Sequence, residues 1–362
     1  MYPFFRSLLF RLDPETAHHL TLQLIRLGGL EPIHSILRLI FSAPSKPVDA
    51  FGLTFKNPIG LAAGYDKDAV AIVGLSTLGF GHIEAGTVTP QPQPGNPRPR
   101  VFRLPEDEAV INRMGFPSRG LQFVLKQLNP ALRENALEKF TGLAPRPKKK
   151  APRTIKKGEV ILGINLGKNK DTPNEQAVLD YLELLQGLAP HADYLAINIS
   201  SPNTVGLRQL QGRAALAGLL TQLHAQRQLE EKKLNKRLPL LVKLAPDLSE
   251  SELNDAVDVI LDTHMDGILV TNTTLGRDWL RSQQRGESGG LSGSPLRLRS
   301  ETVLHRAVKR VNGKVPIVSS GGIMNPEDAK RRLDLGAALV QVYTGLIYQG
   351  PGLVKKTLSV EQ

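Results

Sequence analysis

Residues 192–204, ADYLAINISSPNT, end a short apolar run (Tyr194, Leu195, Ala196, Ile197) on a turn that gathers Asn198, Ser200, Ser201, Asn203 and Thr204. An asparagine amide offers both a donor and an acceptor, so several together can read the polar edges of a planar ligand. A serine hydroxyl is a poor base in water, but in a dry site with a relay it can take up a proton. Taken alone, however, the segment is first of all a β-turn rich in Ser, Pro and Asn. The chain has no cysteine, which removes thiolate nucleophiles, disulfides and iron–sulfur clusters. Its eight histidines show no metal-ligand spacing such as HExxH, so no metal site is expected. Lys67 and Lys243 stand at the ends of apolar runs. Lys243 sits inside LPLLVKLAP, where a buried ammonium needs an anionic partner. Gly321-Gly322 and Thr344-Gly345 have the small residues that let backbone N–H groups approach a phosphate, although a lone Gly-Gly is more often a turn.

These residues recur at the ends of eight apolar segments, 57–64, 82–88, 159–167, 192–200, 238–246, 266–274, 315–322 and 338–345. Each is followed by an amphipathic helical pattern. Eight strand–helix units in series predict an α/β fold, the (β/α)8 TIM barrel, which needs about 250 residues and places its chemistry at the carboxyl ends of the strands. The surplus falls in three places. Residues 1–43 predict a helical cap, with Asp13-Pro14 as a helix start, Gly28-Gly29 as a stop, and Ala17, Leu20, Leu24 and Leu27 on one face. That face either packs on the body of the protein or meets a membrane or an apolar ligand. The barrel takes up 44–362, with insertions at 90–111 and 131–158.

The 362 residues are 41% hydrophobic and 22% charged, an ordinary globular composition. A net charge of +12 raises nucleic acid or acidic membrane as a partner. Yet residues 131–158 hold nine Lys or Arg against two Glu and concentrate the charge in one proline-rich segment, expected to be a surface loop. No apolar run approaches the roughly 18–20 residues that span a bilayer. Arg6 and Arg11 interrupt the apolar N-terminus and no small-residue cleavage site follows, so the chain is expected to stay on the cytoplasmic side.

The strings NPIGLAAGYDKD, GTVTPQPQPGNPRPRVFRL, INRMGF, INLGKNK, INISSPNT, VKLAPDLS, TNTT, GGLSG, SSGGI and QVYTGLIYQGP, in this order, closely resemble the class 2, quinone-reducing dihydroorotate dehydrogenases nearly end to end. The resemblance implies oxidation of (S)-dihydroorotate to orotate on FMN, in pyrimidine biosynthesis, with a membrane quinone as electron acceptor. It assigns Ser201 as the base, with Thr204 and Phe116 supplying relay and dryness. Lys67, Asn112, Arg113, Met114, Gly115, Phe116, Asn198, Asn203, Asn272 and Thr273 are implied for the substrate. For FMN it implies Ala63, Gly64, Thr87, Asn165, Asn198, Lys243, Thr271, Gly293, Gly322, Tyr343 and Thr344. His18, Arg103 and Tyr343 are implied at the quinone headgroup, with residues 1–41 as apolar access and peripheral membrane contact for a monomer. Tyr65, Ser319-Ser320 and the long basic insertion depart from the family pattern, and none of them is expected to touch the chemistry directly. A soluble class 1-like FMN barrel and a non-catalytic basic barrel binding nucleic acid or acidic membrane are the competing readings, the first disfavoured by the cap and Ser201.

Overall fold

The computed structural model describes residues 2–129 and 160–359. The basic segment 131–158 therefore lies outside the described residues, as does the start of the expected strand at 159. A hairpin of β1 (Val48–Ala50) and β2 (Leu53–Phe55) precedes the barrel strands β3 (Ile59–Leu61) and β4 (His82–Val88). Next come β5 (Val101–Leu104), β6 (Ala109–Asn112), β7 (Ile161–Leu166), β8 (Tyr194–Asn198), β9 (Leu240–Leu244) and β10 (Gly267–Val270). The last three are β11 (Gly290–Gly293), β12 (Ile317–Ser320) and β13 (Leu339–Val342).

Eight of these close a parallel barrel in the order β10, β12, β13, β3, β4, β7, β8, β9. All eight lie within the segments expected from sequence, and β4 has the expected bounds. Their near-continuous apolar character follows from burial on both faces, inside by the barrel filling and outside by the helices. Ile83, Ile164, Ile197, Val242 and Ile268 belong to the large core between barrel and helix ring. Phe51 and Phe55 of the β1–β2 hairpin plug the amino-terminal end against Tyr194, Ala196, Leu241, Leu269 and Val318. Closing that end leaves the carboxyl ends of the strands as the open face.

Two features were not foreseen. The insertion at 90–111 folds as the antiparallel pair β5–β6, and β11 adds to it through Leu291 opposite Ile111. The resulting three-stranded sheet has its own small core of Phe102, Leu104, Ala109, Ile111, Leu280 and Leu291. It forms a wall beside the mouth of the barrel.

Over that mouth lie three helices, α1 (Tyr2–Leu9), α2 (Pro14–Leu27) and α3 (Ile33–Phe41). Asp13 caps α2 by accepting from the Thr16 N–H at 3.0 Å, with Pro14 in the first turn. The helix ends at Leu27, although Gly28 takes a right-handed rather than left-handed conformation. Two contacts seat the cap on the barrel. Arg100, just before β5, donates to Glu15 at 2.9 Å with both side chains buried, and Tyr2 donates to the Ile347 carbonyl at 2.6 Å. Outward-facing Phe4, Phe5, Leu20, Leu24, Ile36 and Leu39 remain exposed, Leu39 by 81%. No helix among the described residues is long and apolar enough to cross a membrane.

Candidate functional site

A cavity of about 530 Å³ starts at the carboxyl ends of the barrel strands and continues beneath the cap. Its floor and sides are polar and carry most of the residues singled out from sequence. Its roof is made by Tyr2, Phe5, Leu9, Leu24, Ile25, Leu37 and Phe41 of the cap. The two environments form one space.

On the polar side the amides interlock. Thr87 donates to the Asn165 Oδ1 at 2.6 Å, and Asn198 Nδ2 donates to the same oxygen at 2.9 Å. Asn272 Nδ2 donates to Ser200 Oγ at 3.0 Å, and Asn203 Nδ2 to Asn112 Oδ1 at 3.2 Å. These side chains come from the ends of β4, β6, β7, β8 and β10, and each has its rotamer held by a neighbour, which is how a rigid barrel preorganises a recognition surface. Ser201 Oγ faces the cavity and accepts from the Asn203 N–H at 3.2 Å, a local turn bond that fixes the hydroxyl. Met114, Gly115 and Phe116 bring a tight turn to the wall, with positive φ at Gly115 and Phe116.

Two lysines reach the cavity. Lys67 donates to the Gly64 carbonyl at 2.7 Å, and crowding by protein atoms pushes its ammonium down to about 8 against the pull of Asp68 and Glu15. Lys243, from the middle of β9, is held low by burial, an effect opposed by Glu84 at 3.8 Å. Glu84 is the anionic partner that the sequence demanded without naming. Its signal lay in HIEAGTV, where one acid stands in the middle of a short strand whose other residues after His82 are apolar or small.

At the ends of β11 and β12 the backbone crowds so closely that only glycine fits. A Cβ on Gly322 (φ +74) would lie 2.4 Å from the Arg297 Cα, and one on Gly293 (φ +94) 2.3 Å from the Glu108 carbonyl oxygen. Beneath this loop the fully buried Arg332 donates to the Gly321 carbonyl at 2.9 Å, to Ser300 Oγ at 2.7 Å and to Ser319 Oγ at 3.3 Å. Burial pushes its guanidinium down to about 10. Thr344 follows β13 and donates to Ser292 Oγ at 2.9 Å.

Where cap and barrel meet, three rings run in series. His18 lies 5.2 Å from Tyr65, and Tyr65 lies 5.9 Å from Tyr343. Burial, and secondarily the charge of Lys67, push His18 down to about 3, so it is a neutral imidazole at physiological pH. Burial likewise raises Tyr65 to about 12, partly offset by a hydrogen bond with Thr21 of α2. Tyr65 is thus part of the cavity wall, as is Ser320. Arg103 borders the cavity, but its guanidinium is already engaged. It donates to the carbonyls of Leu9 (2.9 Å) and Leu12 and stacks 4.7 Å over the Phe10 ring.

Of the residues anticipated from sequence, Ala63, Gly64, Lys67, Thr87, Asn112, Met114, Gly115, Phe116, Asn198, Ser201, Asn203 and Lys243 line this space. So do Thr271, Asn272, Thr273, Gly293, Gly322, Tyr343, Thr344, His18 and Arg103. Three do not. Arg113 turns away to Glu287 at 2.6 Å and covers the Phe102 ring. Asn165 lies one layer below the wall, and Thr204 is buried behind its turn. Lys67 and Lys243 are not the only lysines at strand ends: Lys168, just after β7, is buried against the carbonyls of Asn169 and Thr172, a structural use of its charge.

A parallel barrel whose glycine-rich and amide-rich strand ends open under an apolar helical lid defines a (β/α)8 protein built to bring a polar planar ligand and an apolar one into a single cavity. More particularly, the chain belongs to the dihydroorotate dehydrogenase family, whose sequence model matches residues 47–359. It is 46% identical over 364 residues to a Halorhodospira halophila protein named dihydroorotate dehydrogenase (quinone), covering 99% of this chain and 97% of that one. A protein of the same name from Idiomarina loihiensis is 45% identical over 359 residues, 99% of each chain. Among solved structures, Eimeria tenella DHODH crystallised with ferulenol superposes with a TM-score of 0.81 at 40% identity, covering 96% of this chain and 90% of that one.

Proposed function

We propose that the protein oxidises dihydroorotate to orotate on bound FMN and delivers the electrons to a quinone. The observation that carries this reading is the single cavity with an amide-lined floor and an apolar roof, in a chain similar throughout to proteins named dihydroorotate dehydrogenase (quinone).

The residues present fit FMN. The crowded glycines Gly293 and Gly322 keep the backbone bare where a phosphate and ribityl chain need N–H donors, with Thr344 beside them. Buried Lys243 would supply a cation to the flavin ring, with Thr87, Asn165 and Asn198 as polar groups to hold it. Held there, FMN would supply the hydride acceptor for carbon 6 of dihydroorotate and a store of electrons for the quinone.

The chain's own groups do the rest. Lys67 and the N–H groups of residues 114–116 hold the substrate carboxylate, while Asn112, Asn198, Asn203 and Asn272 pair with the ring amides, with Thr273 alongside. Ser201 Oγ takes the proton from carbon 5. Phe116 keeps water out and Thr204, behind the turn, relays the proton onward. Beneath the cap, neutral His18 presents a nitrogen to the quinone headgroup, with Tyr343 and Arg103 across the opening and the apolar lining for its tail. Residues 1–43 act as the access unit and 44–362 as the catalytic barrel. The exposed Phe4, Leu24, Ile36 and Leu39 suit peripheral attachment to the membrane that holds the quinone.

The testing experiment is a steady-state assay of the purified yellow protein with dihydroorotate and a panel of acceptors. Turnover with long-tailed quinones and not with fumarate or NAD+ supports the reading. A colourless protein, or turnover with the soluble acceptors alone, overturns it.

A further inference from the structure

Inside the barrel, directly below the cavity floor, Glu84 of β4 is completely buried and is the hub of a polar cluster drawn from five strands. Its Oε1 accepts from Asn165 Nδ2 (β7) at 2.8 Å and lies 3.8 Å from Lys243 Nζ (β9). Its Oε2 accepts from Gln341 Nε2 (β13) at 2.8 Å and from the Tyr194 hydroxyl (β8) at 3.1 Å. Three of these partners are neutral donors, and Lys243 is the one cation paired with Glu84 among the described residues. Two opposite charges so placed are each tolerable only because of the other, and breaking the pair strands a charge in a dry interior. Because Lys243 also lines the cavity, the state of this pair is felt there.

We propose that Glu84 is a positioning residue: it holds Lys243 as an aimed ammonium beneath the cavity and thereby raises the reduction potential of the flavin bound there. This rests on the proposal that the cavity holds FMN. A carboxylate alone beneath a flavin would disfavour the electron-rich reduced form. Paired with Lys243 it acts the other way, since the ammonium lies at the cavity wall and the carboxylate one layer deeper, where four partners spread its charge.

Glu84→Gln is the informative variant. Among the described residues Gln341 Oε1 has no hydrogen-bond partner, so that amide can turn over and accept from the amide introduced by the substitution while the packing is kept. Dye-equilibrated potentials are to be measured on the FMN-loaded wild type, Glu84→Gln, Glu84→Asp, Lys243→Met and the double variant Glu84→Gln/Lys243→Met. The expected results are a lowered potential in Glu84→Gln, recovery toward wild type in Glu84→Asp, and a double variant no lower than Lys243→Met alone. An unchanged or raised potential in Glu84→Gln, or additive effects in the double variant, overturns the proposal. A second readout needs no flavin. Lys243→Met leaves Glu84 without its cation, so an infrared band of a protonated carboxyl should appear that is lost in the double variant, and its absence also overturns the pair. A wild type that binds no FMN would sink the functional reading while leaving the infrared test of the pair intact.

Discussion

Ser201 is held by a single local bond, from the Asn203 N–H, and nothing about that contact makes its hydroxyl a strong base. In the proposed reaction its effect would come from position, in the cavity that Asn112, Asn203 and Asn272 also line. Replacing Ser201 by Ala should therefore leave FMN and orotate binding little changed while flavin reduction by dihydroorotate slows by about 10²–10⁴-fold, the usual worth of a positioned base. Near-normal reduction in stopped-flow traces would remove Ser201 from the mechanism. Lys67 supplies a second residue-level test. Its ammonium is pushed down to about 8, so it is cationic below that pH and neutral above. Orotate affinity, followed by the flavin spectrum, should fall as pH rises through about 8, approaching tenfold per unit, and Lys67→Met should abolish the step. An orotate affinity flat across that range would place the carboxylate elsewhere. The chemistry-bearing side chains were readable because amides and hydroxyls at strand ends stand out against apolar runs. Arg332 and Tyr65 were not, since a surface-like PEDAKRR helix and an aromatic beside a glycine give no sign of what folds over them.

At the scale of elements, α2 is where the two halves of the proposed reaction separate. Its inner face brings His18 and Thr21 to Tyr65, and Leu24 both borders the cavity and shows 56% of its surface outside. Covering such a side chain with an apolar partner stabilises the complex by roughly 1.5–3 kcal/mol. Leu24→Gln and His18→Ala should leave reduction by dihydroorotate unaltered, while slowing reoxidation by long-tailed quinones, and Leu24→Gln should also weaken co-sedimentation with lipid vesicles. Unaltered quinone kinetics in both variants would reduce the cap to a structural role. The eight barrel strands were legible because parallel strands buried on both faces leave short apolar runs at regular intervals. The β5–β6–β11 sheet was not, because Leu291 pairs with Ile111 across a long stretch of chain and no local pattern announces so distant a partner. The cap helices were announced by Asp13-Pro14, whose capping is local.

For the whole molecule, the plugged end of the barrel carries a pH liability. His82 is completely buried between Phe55 and Tyr194, neither ring nitrogen has a hydrogen-bond partner among the described residues, and burial pushes it down to about 3. A folded-state value below the ordinary 6.5 means that the unfolded chain binds the proton more readily. The stability due to neutral His82 is thus fully present above about pH 6.5 and is lost as pH falls from there toward 3, with a slope of up to about 1.4 kcal/mol per unit. Urea unfolding at a series of pH values should show His82→Leu losing less stability on acidification than the wild type, and identical slopes would contradict this. On the proposed reading the molecule is one device, in which two substrates would meet one flavin in a continuous cavity. Anaerobic double-mixing stopped flow tests it most directly. Dihydroorotate should bleach the flavin absorbance of the purified protein, and a long-tailed quinone added next should restore it, while fumarate or NAD+ should not. A flavin that dihydroorotate leaves oxidised, or one that only the soluble acceptors reoxidise, would contradict the account.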